Sequence, residues 1–201
     1  MPRSTGGSIV PSAGGKPRQI LALLALYPGG RVMPVPTLME EIWSTAPPQS
    51  ALTTLQTYIL QLRRRLGTAM GGTDAPRPGQ GHSRHQARRY LLQVPEESVD
   101  VHDYERLVRE GGQAAFETGD NAVAAARFKA ALDLWRGGAL VDVRIGPILD
   151  IEVRRLQESR LMTVERRVDS ELRLGRHAEL IAEMTELTAR HPQHEGGCTR
   201  S

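Results

Sequence analysis

The segment Ser50–Leu66, SALTTLQTYILQLRRRL, constrains this chain more than any other. Leu52, Leu55, Ile59, Leu62 and Leu66 recur at three- and four-residue steps, which predicts one apolar face of a helix. Thr53, Thr54, Gln56, Thr57, Gln61, Arg63, Arg64 and Arg65 fall largely on the other faces, with Tyr58 nearby and no carboxylate. A helix seated by a leucine stripe, with hydroxyls and amides first and guanidiniums last, fits a DNA groove. Hydroxyls and amides read base edges, and arginines hold phosphates or guanine. A solvated surface helix carrying three arginines is the plainer alternative.

The flanking segments bear on that choice. Arg18–Tyr27 (RQILALLALY) reads as a short apolar helix broken by Pro28-Gly29-Gly30. Leu38–Trp43, opened by Pro36-Thr37 and closed by Ala46-Pro47-Pro48, reads as a second. Three helices with short breaks, the third basic, are the layout of a helix-turn-helix variant. Gly67–Gly81 is a loop by composition. Arg89–Val94 reads as a strand closed by Pro95, and a partner near His82–Gln86 would make a hairpin with Arg84, Arg88 and Arg89 near its tip. That is the position of a wing, whose arginines enter a narrow minor groove; a plain surface hairpin has the same signature.

From Val99 onward the pattern is helical. One helix carries Tyr104, Leu107 and Val108 and breaks near Gly119-Asp120. A second, Asn121–Trp135, presents Val123, Ala124, Phe128, Ala131, Leu132 and Trp135. A long helix from about Pro147 to Leu174 offers Ile151, Val153, Leu156, Leu161, Val164 and Val168 to a core, and Gly175-Arg176 interrupts it. A last helix spans His177–Arg190. Gly112, Gly119, Ala124, Phe128 and Ala131 have the small-residue spacing of a tetratricopeptide unit, in which a Phe fills the gap between two close helices. Gly175, Leu180, Met184, Leu187 and Pro192 form a looser second copy, with an unrelated bundle as the alternative.

The chain of 201 residues has a formal charge of only +3, so nucleic-acid affinity would have to come from local clustering at Arg63–Arg65 and Arg84–Arg89. Lys16 and Lys129 are the only lysines. Cys198 is the only cysteine, which excludes an intramolecular disulfide. No apolar run reaches the length of a membrane span, and the first residues lack a secretory core, so a cytoplasmic protein is expected. No phosphate loop, nucleophile elbow or metalloprotease motif occurs, so no enzymatic activity and no cofactor are expected. His82-x2-His85 and His191-x2-His194-x3-Cys198 lack four ligands at a known spacing and read as solvated, with no metal site. Trp43 and Trp135 read as core anchors.

Taken together, these segments resemble the Streptomyces antibiotic regulatory protein family. The likeness rests on RQILALLALYPGGRVMPVPTLMEEIW, PPQSALTTLQTYILQLRRRLG and YLLQVPEESVDVHDYERLV in the first half. In the second half it rests on TGDNAVAAARFKAALDLWRGGALVDV and EVRRLQESRLMTVERRVDSELRLGRHAELIAEMTELTARHP. The resemblance implies a mainly α fold. A winged helix-turn-helix of the OmpR type over residues 18–95 would follow a flexible 1–17. A tetratricopeptide-like bacterial transcriptional activator domain over 99–192 would precede a tail over 193–201. It implies an activator of a secondary-metabolite gene cluster that binds double-stranded DNA at direct repeats, with protomers side by side, and contacts RNA polymerase. Carried over by position, Thr53, Thr54, Thr57, Tyr58, Gln61, Arg63 and Arg64 would face the groove, and Arg84, Arg88 or Arg89 would serve the wing.

Two departures qualify the match. The small sheet that opens OmpR-type domains is reduced to Ser8–Val10, and the activator domain stops early, so the chain reads as a shortened natural member, the product of a gene with a misplaced start or frameshift, or a fragment. Without that sheet the face of Ile20, Leu23 and Leu24 is expected to be exposed. The wing also has Arg89 before Tyr90 where the family usually has glycine. The competing reading is a protein-interaction adapter or dominant-negative partner that no longer binds DNA.

Overall fold

The structure is a computed structural model that describes residues 15–27, 32–69, 89–92, 98–177 and 180. The elements run α1 (Gly15–Leu26), β1 (Met33–Pro34), α2 (Val35–Trp43), α3 (Ala51–Ala69), β2 (Arg89–Tyr90), α4 (Asp100–Gln113), a π-helical turn (Ala114–Thr118), α5 (Asn121–Asp133) and α6 (Pro147–Arg173). They divide into two compact units: residues up to 102 together with 137–156, and residues 103–136 together with those from 157 on.

In the first unit, α1 packs on both α2 and α3. It starts three residues ahead of the expected Arg18, because Pro17 in a first turn forfeits no helical hydrogen bond. Helix α2 opens from Pro34, which is extended at φ −64° and ψ 143°. Helix α3 is seated by Ala51, Leu55, Ile59 and Leu62, all buried. Leu52, assigned to that stripe from its spacing, is instead exposed: it lies at the edge of the seam in the first turn, and Ala51 takes the seam position. The helix also continues through Gly67–Ala69, where a loop was expected.

Of the strand expected over Arg89–Val94, Arg89–Leu92 are described; Arg89–Tyr90 form β2, and its partner is β1. The pairing is antiparallel, with Met33 opposite Tyr90 and Pro34 opposite Arg89. On the β1 side the strand gives way directly to α2 at Val35. Residues 82–86 lie outside the described region.

Ile20, Leu23 and Leu24 are buried, contrary to the exposure expected of them. Helices α2 and α3 both pack on α1, and residues 137–156 return to the same unit. Arg18 Nη1 donates to the Asp142 carbonyl at 3.0 Å, Tyr27 Oη meets Glu152 Oε1 at 3.4 Å, and Leu149 is fully buried. Glu41 on α2 is 2% exposed and caps the start of α6. Its Oε1 accepts from Gly146 N–H at 2.7 Å, and its Oε2 accepts from Ile148 and Leu149 N–H at 2.8 and 3.0 Å. Gln19 Nε2 donates to both the Glu41 carbonyl and Oε1 at 2.8 Å. Trp43 is half-buried with Lys16 Nζ 5.0 Å from its ring centroid.

In the second unit, Tyr104 and Leu107 of α4 meet Ala131 of α5, with Val108, Leu134 and Trp135 packed around them. Trp135 stands edge-on to Tyr104 at 5.5 Å between centroids. Ala114, Ala124 and Phe128 form a second cluster. The small residue that admits Phe128 is Gly111, not the Gly112 expected from spacing. A Cβ at Gly111 would lie 2.7 Å from Phe128 Cε1, whereas one at Gly112 meets nothing. Gly119 turns the chain at φ +66°, and Asp120 caps α5 by accepting from Val123 N–H at 3.0 Å.

Several expected core positions are exposed: Val123 on α5, and Ile151, Leu161 and Val164 on α6. In the second unit, the inward positions of α6 include Thr163 and Ser170, both buried. Their hydroxyls are satisfied locally, Thr163 donating to the Ser159 carbonyl at 2.7 Å and Ser170 to the Arg166 carbonyl at 2.9 Å. Tyr104 Oη adds 3.0 Å contacts to Ser159 Oγ and Thr163 Oγ1. Helix α6 ends where Gly175 takes φ +74°. Of the last expected helix and the second repeat copy, only Gly175, His177 and Leu180 are described.

Candidate nucleic-acid interface

Helix α3 presents its polar side outward because its apolar side is taken by α1 and α2. Thr53, Gln56, Thr57, Gln61, Arg63, Arg64 and Arg65 are exposed, and Thr54 and Tyr58 are half-buried. No acidic side chain lies anywhere on the helix. Thr57 Oγ1 donates to the Thr53 carbonyl at 3.0 Å, which fixes its rotamer and leaves its oxygen lone pairs and methyl outward. Neutral donors and acceptors occupy the first turns, and the guanidiniums follow them, ahead of the final turn.

The strand β2 lies beside the C-terminal end of α3. A small apolar cavity of about 50 Å³ is lined by Leu24 of α1, by Ile59, Leu62 and Arg63 of α3, and by Tyr90 and Leu92. Burial pushes the Tyr90 phenol above its ordinary value, while the nearby Arg63 guanidinium pulls it the other way. Arg89, exposed on β2, therefore shares this unit with the α3 arginines. Arg84 and Arg88 lie outside the described residues.

Two exposed residues of the α3 face escaped the assignment of groove-facing positions. Gln56 belongs there by the same helical period that placed Thr53 and Thr57. Leu60 is 48% exposed although it sits in a leucine-rich sequence. Only the helical period separates it from the seam leucines. Among the described residues no three His, Cys, Asp or Glu side chains converge as metal ligands, and no helix is long and apolar enough to cross a membrane.

Comparison with known proteins agrees with this architecture. Residues 99–200 match the bacterial transcriptional activator domain. The chain is 53% identical to the regulatory protein DnrI of Streptomyces peucetius over 190 residues, covering 94% of the chain and 68% of DnrI. It is 30% identical to the transcriptional regulator RedD of Streptomyces coelicolor, covering 96% of the chain and 53% of RedD. It is 32% identical to the regulatory protein AfsR of Streptomyces griseus, covering 96% of the chain but only 18% of that longer protein. Among solved structures, Mycobacterium tuberculosis EmbR in complex with a low-affinity phosphopeptide superposes with a TM-score of 0.75 at 29% identity, over 92% of this chain and 47% of EmbR. The chain belongs to the Streptomyces antibiotic regulatory protein family of transcriptional regulators.

Proposed function

We propose that the chain acts in the cytoplasm as a sequence-specific activator of a secondary-metabolite gene cluster, inserting α3 into the major groove of direct repeats near a promoter. The observation that carries this reading is the outward face of α3: exposed Thr53, Gln56, Thr57 and Gln61 followed by Arg63, Arg64 and Arg65, with no carboxylate to repel phosphate. Thr53, Thr54, Thr57, Tyr58 and Gln61 read base edges. Arg63–Arg65 grip phosphates, and Arg89, with Arg84 and Arg88, serves the adjacent minor groove. One small module of this kind binds weakly, so two protomers on neighbouring repeats raise affinity through their high effective concentration. The unit built on α4 and α5 supplies contacts to the second protomer and to RNA polymerase.

The test is binding of the full chain to duplexes carrying one or two copies of a sequence it enriches from a random pool. The reading expects tighter binding to the tandem duplex than to the single site, with the gain lost when spacing moves the copies to opposite faces of the helix. A chain that folds and self-associates yet enriches no duplex overturns it and leaves the adapter reading in place.

A further inference from the structure

We propose that Leu60 reads the 5-methyl group of thymine, which makes α3 a detector of thymine-bearing sites. This deepens the function proposed above and rests on it.

Leu60 is unlike the other leucines of α3. Leu55 and Leu62 are buried in the seam, with Ala51 and Ile59. At about 100° per residue, the direction opposite that seam passes between Thr53, Thr57 and Arg64, and Leu60 lies within about 40° of it. Leu60 is therefore central to the outward face, and it keeps 48% of its surface exposed. Leu52, the other exposed leucine of the helix, sits at the margin of the seam instead.

A branched apolar side chain in the middle of a polar reading face has no hydrogen bond to offer. On B-DNA the one apolar group on the major-groove floor is the thymine methyl, which side chains recognise by van der Waals contact. Thr57 lies one turn before Leu60 and Arg64 one turn after. These three place a hydroxyl, an isobutyl group and a guanidinium in sequence along the groove axis. Such a row matches a site in which a polar base edge met by Thr57 precedes the thymine and a phosphate held by Arg64 follows it. Contact would remove the exposed surface of Leu60 from water, so the same step supplies affinity and selectivity.

The experiment uses the full chain and the duplex it enriches from a random-sequence pool, synthesised once with thymine and once with uracil. Uracil keeps the O4 acceptor and lacks only the methyl. The proposal expects wild-type affinity to fall about fourfold for each contacted methyl removed. Leu60→Ala is expected to bind the thymine duplex more weakly and to lose the distinction between thymine and uracil. Because Leu60 is outside the core, circular dichroism should show Leu60→Ala folded like the parent. Enrichment of a duplex that binds equally well with either base overturns the role of Leu60 while DNA binding stands. Retention of full methyl discrimination by Leu60→Ala assigns it to another residue and likewise overturns the proposal. Failure to enrich any duplex overturns both this inference and the function on which it rests.

Discussion

Glu41 accepts a 2.7 Å hydrogen bond from the backbone N–H of Gly146, 105 residues further along the chain. With the bonds from Ile148 and Leu149 it turns a side chain of α2 into the N-terminal cap of α6. The positive end of the helix dipole and Gln19 Nε2 complete the shell around a carboxylate that is otherwise out of water.

Removing that carboxylate should unseat the start of α6. Glu41→Ala leaves three backbone donors without acceptors and is expected to cost about 3 kcal/mol of stability. Glu41→Gln keeps one acceptor oxygen and should cost less. Chemical denaturation of both variants checks the order. Gly146→Ala should be as damaging as Glu41→Ala, because its Cβ would overlap the Glu41 carbonyl oxygen.

Adjacent glycines in α4 should respond in opposite directions. Gly111→Ala drives a methyl into the ring of the buried Phe128, at a cost of about 1–3 kcal/mol. Gly112→Ala meets open space and should stabilise by about 0.5–1 kcal/mol through helix propensity. Denaturant midpoints for the two variants give the comparison.

Alkaline pH should loosen the first unit through Tyr90. Its phenol is raised above the ordinary 10.0, first by burial, with Arg63 opposing. A raised folded-state value means that the contribution of Tyr90 is intact below about pH 10 and is lost as pH climbs through the folded-state value. Melting temperatures followed from neutral pH upward should fall less steeply for Tyr90→Phe than for the parent.

Much of this architecture is legible in the residues themselves. The three- and four-residue steps of Leu55, Ile59 and Leu62 identify α3 and its buried side, and the polar remainder identifies its outward side. Ala51 escapes notice because a methyl contributes little to an apolar pattern, and Leu52 is credited in its place. The role of Glu41 is invisible locally: an acid on a short helix reads as solvated until donors from Gly146, Ile148 and Leu149 arrive from a distant segment. Ile20, Leu23 and Leu24 are covered where α2 and α3 pack on α1, which no pattern within α1 announces. On α6, Thr163 and Ser170 are buried in place of Leu161 because they satisfy their hydroxyls on their own helix, a possibility that hydrophobic periodicity does not register.

If the arginine-bearing outward side of α3 holds duplex DNA, binding should depend on salt through those arginines. The most direct test is the affinity of the full chain for an enriched tandem duplex across a salt series, beside Arg63→Ala/Arg64→Ala. For the parent, log affinity should fall linearly with log salt. For the double variant the slope should be shallower by about two units, one for each lost phosphate contact. An affinity indifferent to salt, or a double variant with unchanged affinity and slope, would contradict DNA binding by that side of α3.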